Sequence, residues 1–390
     1  MKRLIFLLTV LALLCGCADA RQEGKSNEDS RVSAVWIYYN ELSMAGENGG
    51  SEKAFAEKAD KMFDNCLKYG INTVFVQVRP CGDALYDSHI YPWSAYVTGE
   101  QGKNPGYDPL EILVERGRAS GISVHAWINP FRIAFKDDVN ALSKDNPALK
   151  WMNSSDRSKS ANVVKVNGGL YYCPASTDVQ RLVIDGVREI IRRYGVDGIH
   201  IDDYFYPSTD SSTDAVFYKE YRDGGGTLPL KTWRLNIISS FVSAMYSAVK
   251  SEDENCIFSV SPAGNVKNNY NEQYADVGRW CSESGFADWI IPQIYFGFDD
   301  KALTFDDACD EWDRLARGGK VRLICGIAAY KVNNSDEEWK SGGGIIARQL
   351  QYAEERVNYS GTAFFSYSGL TDPAASAEFG ILTGQSGLTP

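Results

Sequence analysis

The chain has 390 residues, of which 44% are hydrophobic and 23% charged, a composition typical of a soluble globular protein with a large core. Its formal net charge of −11 argues against a nucleic-acid partner and against a strongly acidic polymer, because no basic run is available to neutralise phosphates. The 22 tyrosines and nine tryptophans exceed what a core needs and indicate surfaces on which sugars could stack.

The first 30 residues are predicted to be a targeting segment rather than part of the fold. Two basic residues precede an apolar run over residues 4–14 that is too short to span a bilayer as a stable anchor. The run leads into Leu14-Cys15-Gly16-Cys17, which resembles a bacterial lipobox and predicts a signal peptide over residues 1–17 with a lipidated Cys17. A plain cleaved secretory signal is the alternative. Residues 18–30 are polar and predict a flexible tether, so the expected location is the bacterial cell envelope, with the membrane reached only through a lipid anchor.

Residues 31–390 are predicted to form one domain in which strand-like and helix-like patterns alternate eight times. The predicted strands are approximately 32–39, 72–79, 122–128, 198–202, 257–261, 289–295, 322–328 and 362–367. Amphipathic segments of helical length lie near 52–69, 108–120, 177–194, 231–250, 271–284, 305–317, 343–357 and 372–380.

Eight such units favour a (β/α)8 TIM barrel over an open doubly wound sheet, and two domains is the competing count for a chain of this length. No Gly-x-Gly-x-x-Gly follows the first strand, which removes the main reason to prefer the open sheet. Two connections are long, residues 130–176 after strand 3 and residues 203–229 after strand 4. Insertions of that size usually shape a substrate groove, so both loops are expected to flank the site.

The most informative stretch runs over residues 196–207, with the sequence Val-Asp-Gly-Ile-His-Ile-Asp-Asp-Tyr-Phe-Tyr-Pro. Side chains alternate between the faces of a strand, so His200 and Asp202 share one face while the two isoleucines share the other. This division suits a parallel barrel strand, with helices outside and a polar mouth at its C-terminal end. Two aspartates at one strand end also fit a turn or a helix cap. A functional role for Asp202 and Asp203 is favoured because other predicted strands also end in polar and aromatic residues.

Polar and aromatic side chains occur at the ends of several other predicted strands, where this fold builds its catalytic pockets. Strand 2 places Gln77 and Arg79 on one face, and the following loop brings Asp83. Packing or capping would explain any one of these residues, but their convergence in one mouth favours a site. The expected substrate-binding set is Trp36, Arg79, Asp83, His125, Trp127, Asn129, His200, Tyr204, Tyr206, Gln293 and Tyr295.

The residue types that are available indicate one class of chemistry. The three histidines are not spaced as a metal pair, and the seven cysteines beyond Cys17 include no Cys-x-x-Cys, so neither a metal nor a cofactor is expected. No Gly-x-Ser-x-Gly elbow and no phosphate-cradling glycine loop occurs. Carboxylates, aromatic rings, Arg, Asn and Gln remain. Glycoside hydrolysis uses these groups, since one carboxylic acid protonates the leaving oxygen while a carboxylate attacks the sugar or activates water.

Long motifs occupy the segments 72–86, 91–94, 125–132 (HAWINPFR), 197–207 (DGIHIDDYFYP), 288–295 and 364–368. Together these motifs resemble the glycosyl-hydrolase-like family ten, over roughly residues 31–370. The resemblance implies a (β/α)8 barrel, often on an exported lipoprotein, and a polysaccharide substrate; one enterobacterial member acts on denuded, peptide-free peptidoglycan. The pattern at residues 200–203 is also similar to the hydrolase domain of exopolysaccharide deacetylases that cleave partly de-N-acetylated poly-N-acetylglucosamine. The resemblance therefore implies a glycan hydrolase more firmly than any one polymer.

Two functions of different class remain open. The first is an endo-acting glycosidase of the cell envelope that cleaves a cell-wall or related amino-sugar polysaccharide, with denuded peptidoglycan favoured. The second is a non-catalytic carbohydrate-binding lipoprotein on the same barrel, since a fold alone does not guarantee chemistry.

Under the first hypothesis the two aspartates have different roles. Asp202 points into the pocket by parity with His200, which is expected to orient it, and is the predicted nucleophile or water-activating base. Asp203 lies where the chain turns into the long loop and is the predicted general acid, with Asp83 in reserve. Sugar stacking is expected on Trp127, Tyr204, Tyr206 and Tyr295, and hydrogen bonds to the sugar are expected from Arg79 and Asn129.

Overall fold

The computed structural model describes residues 31–47, 50–334, 336–340 and 342–383, except for the side chain of residue 381. The predicted signal peptide, the lipidated Cys17 and the tether over residues 18–30 lie outside the described residues. Within the described residues, no helix is both long and apolar enough to cross a bilayer.

Eight parallel strands close into a barrel in which each strand pairs with its neighbours along the chain and the first pairs with the last. The strands, labelled β1 to β8 in chain order, are Val32–Ile37, Thr73–Arg79, Ser123–Ile128, Gly198–Ile201, Ile257–Val260, Trp289–Ile290, Arg322–Ile327 and Tyr359–Phe365. The eight predicted strands and the predicted (β/α)8 barrel are confirmed. The C-terminal ends of the strands meet at one mouth, which is where barrels of this kind place their sites.

The alternation of side chains along each strand creates two separate cores. Branched aliphatic residues such as Val76 and Ile199 point outward and pack beneath the helices in one large apolar cluster. Large aromatic residues, including Trp36, Phe75 and Trp127, point inward and form a second cluster inside the barrel. Because both faces of every strand are covered, a polar side chain on the inner face must find a partner inside the barrel or open to the mouth.

Helices connect the strands and cover the outer face of the barrel. The longer ones are Glu52–Lys68, Pro109–Ser120, Thr177–Tyr194, Leu230–Glu252, Phe305–Leu315 and Ile345–Glu354. The first three begin at Ser51, Asp108 and Ser176, whose side chains accept hydrogen bonds from the first turn and so satisfy backbone N–H groups that a helix start leaves unpaired.

The remaining helical segments are short. The α-helices among them are Tyr39–Leu42, Ala95–Thr98, Pro147–Met152, Arg157–Ser160, Ala215–Asp223, Val266–Glu272, Val277–Ser282, Tyr367–Leu370 and Ser376–Phe379. The 3-10 helices are Ala45–Glu47, Val139–Ala141, Ala316–Gly318, Ala329–Lys331, Glu337–Trp339, Pro373–Ala375 and Gly380–Thr383. The helix predicted near 271–284 is therefore wrong as a single element. The chain there forms two helices, separated at Tyr274, which adopts a left-handed conformation with φ of 54°.

Both long connections contain structure that the sequence patterns do not predict. In the loop after β4, the helix Ala215–Asp223 follows Asp214, which forms a fully buried ion pair with Arg234 at 2.7 Å. In the loop after β3, a three-stranded antiparallel sheet is formed by Arg132–Ala134, Val163–Val166 and Gly169–Tyr172. Strands of three or four residues show too little periodicity to be recognised from the sequence.

Candidate active site

Two adjacent carboxylates lie at the barrel mouth. β4 ends at Ile201, so Asp202 continues the inner face of the strand, while Asp203 begins the long loop. Asp202 is 4% exposed, and Asp203 is more open to solvent. Burial raises the pKa of Asp202 to about 7, and the neighbouring charge of Asp203 adds to this effect. Burial also raises the pKa of Asp203, so the pair shares a proton near neutral pH.

A chain of amide hydrogen bonds orients Asp202. The backbone N–H of Tyr39 donates to Oε1 of Gln77 at 3.2 Å, and Nε2 of Gln77 donates to Oδ1 of Asn129. Asn129 then donates through Nδ2 to both carboxylate oxygens of Asp202, each at 2.6 Å. Because a backbone N–H can only donate, the direction of the whole chain is determined and Asp202 is its acceptor. Asn129 is predicted to bind the sugar, but in the structure it donates to Asp202 and accepts from Gln77.

Asp203 has amide partners of its own. Gln293, which follows β6, and Gln273, which follows the helix Val266–Glu272, form hydrogen bonds with its carboxylate that oppose the rise in its pKa. Gln293 belongs to the predicted site. Gln273 does not, because a glutamine in an irregular connection is part of no recognisable motif. Oε1 of Gln273 is buried without a hydrogen-bond partner, so one acceptor beside Asp203 is available.

Arg132 lies beside both carboxylates and is also absent from the predicted set. Its positive charge lowers the pKa values of Asp202 and Asp203, against the larger effect of burial. Its guanidinium lies 3.9 Å from the ring centroid of Tyr204 and 4.6 Å from that of Phe135. Tyr204 is 48% exposed, so the ring predicted to stack on a sugar is accessible. Arg132 ends the HAWINPFR motif, which is the one signal in the sequence that points to it.

An aromatic wall faces the carboxylates across the mouth. Its centre is Phe365 at the end of β8, the strand that lies opposite β4 in the closed order. The rings of the wall have centroids between 5.7 and 6.5 Å from that of Phe365 and belong to Trp36, Tyr38, Trp127, Tyr295 and Tyr330. Burial raises the pKa of Tyr295, and the charges of both aspartates contribute, which places this ring near the pair. Trp36 and Trp127 are almost fully buried, so stacking on Trp127 as predicted has no open ring face to use. The more open rings of Tyr38, Tyr295, Tyr330 and Phe365 can pack against the C–H faces of a sugar.

His200 lies beneath the mouth rather than in it. Trp36 donates through Nε1 to Nε2 of His200 at 2.9 Å, and Nδ1 of His200 is 2.8 Å from Oγ of Ser259. Since an indole N–H only donates, Nε2 must be the acceptor and the hydrogen of the neutral ring is on Nδ1. Burial lowers the pKa of His200 well below its ordinary value, which agrees with a neutral ring. The expectation that His200 orients Asp202 by a hydrogen bond is wrong, because both ring nitrogens have other partners.

His125 lies deeper in the barrel. Its ring stacks on Trp289 with centroids 5.0 Å apart, and it packs against Gly198, where a Cβ atom would lie 2.4 Å from Nδ1. Burial lowers the pKa of His125 to about 3, and neither ring nitrogen has a hydrogen-bond partner. His125 precedes Trp127 on the same face of β3, one layer further from the mouth. The structure therefore places His125 in the core, below the open mouth.

Arg79 departs from the predicted face. The pairing of β2 with β3 shifts register between Gln77 and Arg79, so that Arg79 pairs with Ile128 of the outer core. An irregularity of this kind re-aims the side chain that follows it. Arg79 is 1% exposed; its Nη2 donates to the carbonyl of Asn129 at 2.8 Å, and its guanidinium lies 4.9 Å from the ring centroid of Tyr91. The prediction that Arg79 shares the face of Gln77 and binds a sugar is corrected: Arg79 ties the ends of two strands together.

Asp83 and Tyr206 also have other partners. Asp83 is almost fully buried in the loop after β2 and accepts a hydrogen bond from Nε2 of Gln101 at 2.9 Å. Tyr206 donates to Asp214, the residue that forms the buried ion pair with Arg234. Both predicted site residues therefore stabilise loops instead of lining the open mouth.

The residues that surround the pair define what the site can do. The described residues contain no group of three or more His, Cys, Asp or Glu side chains that could hold a metal ion. The pair itself offers a shared proton, an oriented acceptor and a nearby cation, which together suit general acid–base chemistry. Predicted residues that the structure brings to Asp202 and Asp203 are Trp127, Asn129, Tyr204, Gln293 and Tyr295, and unpredicted ones are Arg132 and Gln273. Gln77 acts on the pair only through Asn129.

The chain matches the model of the family described as glycosyl hydrolase-like 10 over residues 31–341, so it belongs to that family, and the resemblance seen in the motifs is confirmed. It is 33% identical to the glycosyl hydrolase DigH of Escherichia coli strain K12, over 95% of this chain and 94% of that protein. It is 32% identical to the glycosyl hydrolase YngK of Bacillus subtilis strain 168, over 88% of this chain and 70% of that protein.

Solved structures of glycoside hydrolases share the fold. The glycoside hydrolase domain of PgaB (BpsB) from Bordetella bronchiseptica superposes with a TM-score of 0.62 at 12% identity, covering 90% of this chain and 99% of that one. The alpha-L-fucosidase isoenzyme 2 of Paenibacillus thiaminolyticus has a TM-score of 0.58 at 13% identity, covering 91% of this chain and 49% of that one. At such identities the likeness establishes the barrel alone.

Proposed function

We propose that this protein is a glycoside hydrolase that cleaves a cell-wall or related amino-sugar polysaccharide, with peptide-free peptidoglycan strands as the favoured substrate. The observation that carries the proposal is the Asp202–Asp203 pair at the barrel mouth. Burial raises the pKa values of both carboxylates, and the positive charge of the nearby Arg132 does not outweigh this effect. A buried pair of this kind destabilises the fold, and such arrangements are concentrated at functional sites.

The two carboxylates have different surroundings and are proposed to have different roles. Asp202 is buried, and Asn129 donates to both of its oxygens. This fixed carboxylate is proposed to face the sugar whose anomeric carbon is attacked. Asp203 lies at the start of a loop, from which it can reach the leaving oxygen, and burial raises its pKa, so it is the group that protonates this oxygen. Tyr204 and the aromatic wall bind neighbouring sugars by stacking.

The relatives and the motifs support this choice of substrate class. Two relatives that align over most of the chain are named glycosyl hydrolases, and the motif resemblance implies action on an envelope glycan. A lipidated Cys17 with the tether over residues 18–30 would hold the barrel at an envelope membrane, where such glycans are found. The proposed location therefore agrees with the proposed substrate.

The test is a digestion of peptidoglycan strands, with and without stem peptides, by the purified protein, followed by chromatography of the released fragments. Asp202→Asn should abolish turnover of every substrate. Asp203→Asn should spare nitrophenyl glycosides, because their leaving group needs no protonation. Asp83→Asn, a matched change of a buried carboxylate outside the pair, should retain activity.

Three results would argue against the proposal. Equal loss on both substrate types in Asp203→Asn would contradict the assignment of the acid. Full activity in Asp202→Asn would remove that residue from the reaction. Binding of strands by the parent protein without any cleavage would instead support a non-catalytic carbohydrate-binding lipoprotein.

A further inference from the structure

The position of the two carboxylates limits how they can act on a glycosidic bond. Consecutive residues have Cα atoms about 3.8 Å apart, and Asp202 and Asp203 belong to one pocket at the tip of one strand. Two-carboxylate mechanisms place their groups on opposite sides of the bond, about 5–5.5 Å apart for a nucleophile and about 6.5–9.5 Å apart for a water-activating base. A pair on one strand tip that approaches the bond from one side leaves the attack on the anomeric carbon to another group.

The surroundings of Asp202 suit a hydrogen-bond acceptor better than a nucleophile. Both of its oxygens already accept from Nδ2 of Asn129, at the end of the chain that begins at the backbone of Tyr39. Because both oxygens are engaged as acceptors, neither can attack the anomeric carbon without losing a hydrogen bond. The remaining lone pairs stay available to accept from one more N–H group.

On the opposite side of the mouth, the described residues offer the apolar surface of the aromatic wall. The aromatic wall around Phe365 is suited to a methyl group and to the apolar face of a sugar. Glu41 lies next to this wall, where it accepts from Oγ of Ser366 at 2.8 Å and from the backbone N–H groups of Ser368 and Tyr38 at 2.7 and 2.9 Å. Glu41 is thereby committed to holding the ends of β1 and β8 together.

We propose, on the basis of the function proposed above, that the nucleophile is the 2-acetamido group of the substrate and that Asp202 binds its N–H. The substrate class is then a glycan with an N-acetylhexosamine on the side of the scissile bond that keeps the anomeric carbon. The aromatic wall receives the methyl group of the acetamide, and Asp202 holds the acetamide so that its carbonyl oxygen faces the anomeric carbon.

The reaction balances without any added reagent. The acetamido oxygen forms a bond to the anomeric carbon as the bond from that carbon to the leaving oxygen breaks, and Asp203 gives its proton to the leaving oxygen. Asp202 accepts a hydrogen bond from the N–H of the resulting cyclic oxazolinium ion and stabilises its positive charge. Water then attacks the anomeric carbon and gives a proton to Asp203, and the ring opens to restore the acetamido group. Two displacements at the same carbon retain its configuration.

The inference is tested with peptide-free glycan strands and with the same strands after chemical N-deacetylation. The full-length protein should cleave the deacetylated strands at least about 100-fold more slowly than the acetylated strands, because the acetamido group that attacks the anomeric carbon is lost. The thiazoline derivative of N-acetylglucosamine, a stable mimic of the cyclic ion, should inhibit the parent protein competitively. Asp202→Asn should lose binding of the thiazoline measured by calorimetry, whereas Asp83→Asn should keep it.

The outcomes separate this inference from the proposed function. Equal cleavage of both kinds of strand, inversion at the anomeric carbon, or a 2-fluoro sugar trapped covalently on Asp202 would overturn the role of the acetamido group and leave a glycosidase. Full thiazoline binding by Asp202→Asn would overturn the role of Asp202. Absence of cleavage of either strand would overturn the glycosidase function, and this inference with it.

Discussion

Replacing Asp202 by asparagine should stabilise the fold at neutral pH, even though the same change is expected to abolish turnover. The pKa of Asp202 is raised from an ordinary value of 3.8 to about 7, by burial and by Asp203. Between these values the folded state holds a proton that the unfolded chain has released, so the free energy of unfolding falls as pH rises. Each tenfold change in proton affinity is worth about 1.4 kcal/mol, so the penalty above pH 7 is at most about 4 kcal/mol.

Asparagine has the shape of the protonated carboxyl group and no charge, so Asp202→Asn removes this penalty. Because the proton is shared with Asp203, we expect a gain of about 2–4 kcal/mol at pH 8 and no gain near pH 4. The measurement is urea unfolding at several pH values between 4 and 8. Asp64→Asn, on the exposed side of the helix Glu52–Lys68, is the matched control and should show no gain that depends on pH.

The result that would refute this reasoning is a difference in unfolding free energy that stays constant across the pH range. A parent protein more stable than Asp202→Asn at pH 8 would refute it as well. Either finding would mean that the partners of Asp202 compensate its negative charge fully, so that the carboxylate pair does not destabilise the fold.

Three further changes test other parts of the structure. Gln77→Leu breaks the chain that orients Asn129 and Asp202, so kcat on glycan strands should fall by about 10- to 100-fold with KM nearly unchanged, and an unaltered kcat would contradict this. Arg79→Ala should lower the free energy of unfolding by about 3 kcal/mol in urea titrations while the folded protein keeps its kcat; loss of turnover without loss of stability would return Arg79 to the site. Cys17→Ser should move the protein from the membrane to the soluble fraction of a bacterial host, and equal membrane retention would argue against lipidation.

Local patterns were sufficient to predict the barrel. Strand and helix periods depend on side chains a few residues apart, so all eight strands and the long helices can be inferred from the chain alone. The parity of β4 also predicts that Asp202 lies on the inner face of the barrel, because the side-chain alternation of a strand is independent of its surroundings. The motifs of the family lie at the strand ends because barrels of this kind place their functional polar side chains there.

Parity fails where the register between neighbouring strands changes. Arg79 is two residues from Gln77, yet the shift in the pairing of β2 with β3 sends it to the outer core, and no property of β2 alone predicts that shift. Depth along a strand is equally invisible in the sequence. His125 and His200 are on the inner face as predicted, but they lie below the mouth, where aromatic rings and Ser259 surround them.

The partners of the carboxylate pair are decided by tertiary structure alone. Arg132 and Gln273 reach the two carboxylates, and Gln77 reaches Asn129, from three distant parts of the chain. An amide or guanidinium has no sequence signature for the group it will contact. The sequence by itself determined the barrel and the residues at its strand ends, because both follow from short-range periodicity. Which of those residues meet, and in what state of protonation, depends on burial and on hydrogen bonds that exist only once the barrel has closed.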